Sequence, residues 1–274
     1  MIGQKKLLNN IDKMVLNGFP RFTIICGPKG SGKKLIAKHI ANNLNAQLIV
    51  SGTKVDNVRD IILLSYKQTV PTVYLLPDCD KMSSAAKNAL LKVTEEPPRK
   101  AYFIMTLSDV NNTLTTLKSR GTVLNINDYS FVELLDYAES KQYELNDEEQ
   151  TIVSNICTVP GDVDTLMKYD AMAFYNYVNL VVSNIGTVSG ANAFKIGQKL
   201  SYKEDDGGWD ITLFMRAIMF SYLELAKQGK QSQKCQQSIK VVSKYLSQIN
   251  TTGINKSATI DMMVLELRGI WVED

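Results

Sequence analysis

Five short runs rich in apolar residues punctuate the first half of the chain: residues 22–26, 47–52, 73–76, 101–106 and 123–126. Runs this short, without a polar alternation, mark strands buried on both faces of a sheet. Between them the apolar positions recur at helical spacing. Residues 4–16 place Leu7, Leu8, Ile11, Val15 and Leu16 on one helical face, with Gly18 and Pro20 as stops. The stretch from Asp56 to Gln68 reads as a helix capped by Asp56. Ser83 and Ser84 precede a helix carrying Ala86, Ala89, Leu90 and Val93, which Pro97 and Pro98 end. Strands alternating with helices predict an α/β fold: an open, largely parallel sheet with helices on both faces.

Past Asn127 the strand signal stops. FVELLDYAES and DEEQTIVSNICTV have helical periodicity, and Pro160-Gly161 separates them from DVDTLMKYDAM. A small helical module over 127–172 follows from this pattern. Beyond it, AFYNYVNLVVSNI, WDITLFMRAIMFSYLELAKQ and SATIDMMVLELRGIW make 173–274 an all-helical domain, broken by polar stretches at 204–208 and 229–233. The expected division is thus 1–126, 127–172 and 173–274.

Composition narrows the picture only slightly. A net charge of +3 sets up no strong overall field for nucleic acid or membrane. No run reaches the ~18 apolar residues of a membrane span, and the amphipathic N-terminus does not read as a secretory signal. The four cysteines are scattered and His39 is the only histidine, so no zinc ligand set is visible. These features predict a cytoplasmic protein with buried free thiols and no zinc.

The chemistry lies in the turn after the first strand. Gly27, Pro28, Lys29, Gly30, Ser31, Gly32, Lys33 and Lys34 fit G-x-x-x-x-G-K, between a strand and a helix as a phosphate-binding loop requires. Glycines let backbone N–H groups point inward at phosphate oxygens, and Lys33 can neutralise them. Lys34, however, stands where a Ser or Thr hydroxyl would bind Mg²⁺, and a charged ammonium has no acceptor to offer. After the third strand, ATP-hydrolysing P-loop proteins place an Asp for Mg²⁺ and a Glu for the attacking water. Pro77 and Asp78 occupy those places, with Asp80 beyond. His39, on the helix after the loop, reads as a structural or surface residue.

GPKGSGKK, the segment Val73–Pro98 with its NALLKVTEEPP, Ser119-Arg120-Gly121, Pro160-Gly161-Asp162 and NKSATIDMMVLELRG together resemble the AAA+ clamp-loader family, in particular the bacterial DNA polymerase III gamma/tau and delta-prime subunits. The resemblance implies an AAA+ P-loop core, a helical lid over 127–172 and a helical collar over 173–274. It also implies an ATP-driven assembly with gamma/tau-like and delta-like subunits that opens a sliding clamp and places it on primer–template DNA. Matched position by position, Lys33 is the family's P-loop lysine, and Lys34 and Pro77 replace the Mg²⁺ ligands. Asp78 stands for the catalytic glutamate, Asp164 replaces the lid's sensor arginine, and Ser108 matches the first sensor. The family's zinc module is absent. Arg120, in SRG where the family has SRC, matches the arginine finger given to a neighbour. The pattern implies a delta-prime-like subunit with little or no ATP in its own site. The alternatives are a working gamma-like ATPase, with Asp78 rescuing the metal, and a replication scaffold without a finger.

Overall fold

The computed structural model describes residues 2–187, 209–249 and 255–272. The polar stretch expected at 204–208 lies outside them. The chain divides into two compact units, one comprising residues 1–133 with 159–161, the other 134–158 with 162–274.

The first unit alternates strand and helix: α1 (Lys5–Asn17), β1 (Phe22–Cys26), α2 (Lys33–Asn43), β2 (Gln47–Val50), α3 (Val55–Lys67), β3 (Thr72–Leu76), α4 (Ser84–Glu95), β4 (Ala101–Leu107), the single turn α5 (Thr115–Lys118) and β5 (Thr122–Asn125). The five strands form one parallel sheet in the order β2-β3-β4-β1-β5. Successive side chains on a strand face opposite ways, and both faces are buried. Tyr74 and Leu76 of β3 join Phe22, Ile24, Phe103 and Met105 in a core with Val58 of α3 and Leu90 of α4. Val73 and Leu75 turn to the other face, against Ile25, Ile104, Ile11 of α1 and Ile36 of α2.

Two local expectations are corrected. Leu16 is 86% exposed, and the buried stripe of α1 runs through Leu7 and Ile11 to the partly buried Met14 and Val15. A full turn separates these positions along one line, whereas residue 16 lies a further 100° round the helix. Asp56 is not a cap: Lys54 holds the N-cap position, and Asp56 lies in the first turn, paired with Arg59. Ser83, by contrast, caps α4 by accepting the Ala86 N–H at 3.2 Å.

The second unit is helical among its described residues. It contains the end of α6 (Phe131–Ser140), α7 (Asp147–Ile156), most of α8 (Pro160–Lys168), α9 (Ala171–Asn184), α10 (Ile211–Lys227), α11 (Ser232–Gln248) and α12 (Lys256–Trp271). Pro160 opens α8 rather than separating helices, because the first helical position needs no N–H donor. Asn146 and Glu149 form a reciprocal capping box on α7. Phe174 of α9 is fully buried, with Trp209 edge-on at 5.0 Å and Phe214 of α10 at 6.4 Å between ring centres. α7 packs against both α9 and α10. Helices on either side of residue 173 pack against one another within the second compact unit.

Leu90 and Leu16 provide a test of this core. Leu90→Ala empties a fully buried position and is expected to destabilise the first unit by about 2–5 kcal/mol. Leu16→Ala should change stability by no more than about 0.5 kcal/mol. Denaturant titration followed by circular dichroism distinguishes the two.

Candidate nucleotide-binding and trans-acting site

In a parallel sheet of this order, ligands bind beyond the carboxyl ends of the strands, where consecutive connections leave in opposite directions. β1 supplies the glycine-rich loop there, and β4 supplies Ser108 and Asp109. An open cleft of about 260 Å³ lies at this edge, lined by Cys26, Gly27, Ser108, Asp109, Val110, Asn125 and Ile126.

The loop is tied into its surroundings at several points. Gly30 and Gly32 have φ of +81° and +86°, a region that glycine enters without strain. The Lys33 ammonium donates to the carbonyls of Gly27 and Pro28, at 2.7 and 2.8 Å. Burial pushes the pKa of Lys33 down, against the opposing pull of Asp78 and Asp80. Ser31 donates its hydroxyl to the Pro28 carbonyl at 2.7 Å, and its own carbonyl accepts the Tyr129 hydroxyl at 3.0 Å. The Gly30 carbonyl accepts the Gly161 N–H at 3.1 Å, and a Cβ on Gly161 would come within 2.5 Å of the Gly30 Cα. Beside Tyr129, Gln4 makes a two-point clamp on the Asn127 backbone, donating at 2.7 Å and accepting at 3.0 Å. Lys34 is exposed at the start of α2, and Pro28 and Lys29 are likewise exposed on the loop.

β3 ends at Leu76, whose side chain faces α3 and α4. Alternation would aim residue 77 at the α2 face, toward the loop, and Pro77 has no polar side chain to place there. Asp78 is exposed in a left-handed turn, φ 51°, its N–H bonded to the Thr106 hydroxyl at 3.0 Å. Asp80, not Asp78, is the organised carboxylate. It accepts the Ser108 N–H at 2.9 Å, the Ser108 hydroxyl at 2.8 Å and the Asn112 amide at 2.9 Å. Burial pushes its pKa up, but the hydrogen bonds from Asn112 and Ser108 outweigh that and hold it below the usual aspartate value. The sequence pointed to Asp80 and Ser108 separately; Asn112 carried no signal, because it comes from a short turn after β4. No group of three or more His, Cys, Asp or Glu among the described residues is arranged to hold a metal.

Arg120 lies at the other edge of the sheet. It follows α5 and precedes β5, and the β1–β5 register sets Thr23 beside Thr122. Gly121 is thus level with Phe22, while Gly27 follows Cys26 five residues on, roughly 16 Å along the strand. Arg120 therefore stands far from its own loop. Its Nε donates to Glu95 Oε1 at 3.0 Å, its Nη2 pairs with the same oxygen, and its Nη1 donates to the Thr116 carbonyl at 2.6 Å. The Arg120 side chain remains 31% exposed. Gly121 follows where the related motif has a cysteine; a Cβ there would meet Ile24 and Phe22 at 3.0 Å.

In the second unit Asp164 accepts both the Tyr137 hydroxyl, at 2.7 Å, and the Tyr143 hydroxyl, at 3.1 Å. Residue 164, expected from the resemblance to stand at a sensor position, is thus held by two phenol hydroxyls. Asp162 pairs with Arg216 of α10 at 2.5 Å and accepts the Thr158 N–H at 2.8 Å. His39 contacts Asp12 at 2.9 Å and Asn43 at 3.1 Å on the surface of α1 and α2, a structural placement as expected.

Residues 51–130 match the family model described as "DNA polymerase III, delta subunit". DNA polymerase III subunit gamma of Buchnera aphidicola is 28% identical over an alignment covering 50% of this chain and 47% of that protein. DNA polymerase III subunit delta' of Yersinia pestis is 40% identical over 26% of this chain and 22% of its own length. The chain thus spans less than half the length of these relatives. The Thermotoga maritima RuvB Holliday junction branch migration motor superposes with a TM-score of 0.51 at 18% identity, covering 82% of this chain and 78% of that one. The fold is of the AAA+ type, and the chain resembles the gamma, tau and delta-prime subunits of DNA polymerase III.

The Asp80 carboxylate has a pH signature. Its folded pKa is lowered, so its contribution to stability is present above the ordinary value near 3.8 and is lost as pH falls through the lower folded value. Asp80→Asn should be less stable than the parent at pH 6, and the difference should shrink steadily below pH ~4. Thermal melts of both proteins from pH 6 to 3 check the sign.

Proposed function

We propose that this chain, a relative of the bacterial DNA polymerase III clamp-loader subunits, serves as the delta-prime-like member of such a loader. In this reading it hydrolyses no ATP itself and lends Arg120 to nucleotide held by a neighbouring gamma/tau-like ATPase subunit. The observation that carries it is the separation along the sheet. The eroded loop lies at the carboxyl edge and Arg120 at the amino edge, so the guanidinium is positioned for another subunit's phosphates rather than its own.

The loop residues do not fit Mg²⁺-dependent hydrolysis. Lys33 is committed to two loop carbonyls, Lys34 offers no hydroxyl, Pro77 offers no carboxylate, and Asp164 brings negative charge where a sensor would bring positive. Phosphoryl transfer rests on positioning and charge stabilisation, and each of these losses removes part of it. ATP in this site is accordingly weak or absent, and Mg²⁺ lacks its ligands. Arg120 suits a trans-acting role because guanidinium is planar, permanently charged and able to donate two parallel hydrogen bonds to phosphate oxygens.

We assign 127–172 as the lid and 173–274 as the collar through which the chain joins delta-like and gamma/tau-like subunits. Through the assembly it acts on a sliding clamp and primer–template DNA in the cytoplasm. No helix among the described residues is long and apolar enough to cross a membrane.

The isolated chain should show no steady ATP turnover; a rate near ~1 s⁻¹ that Lys33→Ala abolishes would restore the gamma-like reading. In the reconstituted loader, Arg120→Ala should leave assembly intact and slow clamp loading by about tenfold or more, against the order of 10³–10⁵ that such a finger contributes at its own site. Arg120→Lys should recover little, since it keeps the charge and loses the fork. Parental rates with Arg120→Ala in a correctly assembled complex would leave only the scaffold reading.

A further inference from the structure

The NALLKVTEEPP segment carries two glutamates before its closing prolines, and Glu95 is the one that touches the candidate finger. Glu95, in the last turn of α4, accepts from both Nε and Nη2 of Arg120 through one oxygen, while the Thr116 carbonyl takes a hydrogen from Nη1. Glu96, the next residue, is the exposed C-cap of the same helix. A guanidinium carries five N–H bonds. Three are engaged here, leaving one on Nη1 and one on Nη2, the number that a two-pronged phosphate contact needs. Arginine otherwise has large rotamer freedom, and each hydrogen bond to a fixed anchor removes part of it in advance.

We propose that Glu95 is a positioning residue for Arg120: together with the Thr116 carbonyl it holds the guanidinium by its flank, so that the two remaining N–H groups meet a nucleotide phosphate on an adjacent subunit without reorganisation. This inference rests on the trans-acting role of Arg120 and adds the means by which that arginine is aimed. Both anchors come from the first unit, one from α4 and one from α5, so the aim is set before any partner arrives. The side chains of Arg120 and Glu95 are 31% and 51% exposed, which keeps the pair open to an incoming phosphate. Glu95 touches no reacting atom and acts only through the arginine.

The experiment has two arms. In the isolated 274-residue chain, the Arg120 Nε–H should give a persistent, slowly exchanging nitrogen-15 signal at neutral pH. Glu95→Ala should lose it, and Glu96→Ala should keep it. A signal that survives Glu95→Ala overturns the clamp. In the loader reconstituted with gamma/tau-type and delta-type subunits, Glu95→Ala should lower kcat for ATP by roughly 10–100-fold at the affected site, the scale of an ångström-size misplacement, with KM for ATP unchanged. Glu95→Gln, which keeps an acceptor oxygen, should recover part of the rate, and Glu96→Ala should behave as the parent. Added to Arg120→Ala, the Glu95→Ala change should cost nothing further. A faster Glu95→Ala complex would mean that the glutamate masks the arginine, and an equal loss in both backgrounds would mean a structural role; either overturns the proposal. Parental rates for Glu95→Ala beside a slow Arg120→Ala complex overturn the role of Glu95 alone. Parental rates for Arg120→Ala overturn the trans-acting reading itself, and the positioning role with it.

Discussion

The polarity of the parallel sheet is the constraint on which the rest of this molecule depends. All paired strands run the same way, so every strand-to-helix turn falls on one edge and every helix-to-strand turn on the other. The glycine-rich loop, Asp80 and Ser108 follow strands and share the first edge. Arg120 precedes β5 and lies on the second. A chain built this way sets its glycine-rich loop at one edge and Arg120 at the other, out of reach of that loop.

Buried charge needs compensation, and the loop lysine finds it locally. The Lys33 ammonium donates to the carbonyls of Gly27 and Pro28. The same economy recurs nearby: Asp80 is satisfied by Ser108 and Asn112, and Asp164 by two tyrosines. The polar and charged groups around the loop and in the second unit are thus satisfied by internal hydrogen bonds. Such a site persists as architecture, since the close approach of Gly30 and Gly161 leaves no room for a Cβ at either position.

The alternation of strands and helices and a parallel sheet covered on both faces were legible in the residues, whereas the order β2-β3-β4-β1-β5 came only from the structure. Short continuous apolar runs, a glycine-rich turn and proline stops are local signals, read directly from the chain. The chemistry of Lys34 and Pro77 was legible as well: a charged ammonium cannot ligate Mg²⁺, nor can a proline ring. Local signals failed where a position's meaning depends on the far side of a contact. Leu16 fits an apolar stripe but meets no neighbour. Asp56 has the chemistry of a cap, yet the helix begins one residue earlier.

What the sequence determined by itself, then, was the set of elements and the glycine-rich turn between β1 and α2, because each depends on residue type over a few neighbouring positions. Tertiary structure alone decided which groups meet. It brought Asn112 to Asp80, Tyr129 to Ser31, Arg216 to Asp162 and Glu95 to Arg120. Those pairs lie 25 to 98 residues apart, and no periodicity extends across such intervals. Their partners are chosen by strand register and helix packing, which exist only once the chain has closed on itself.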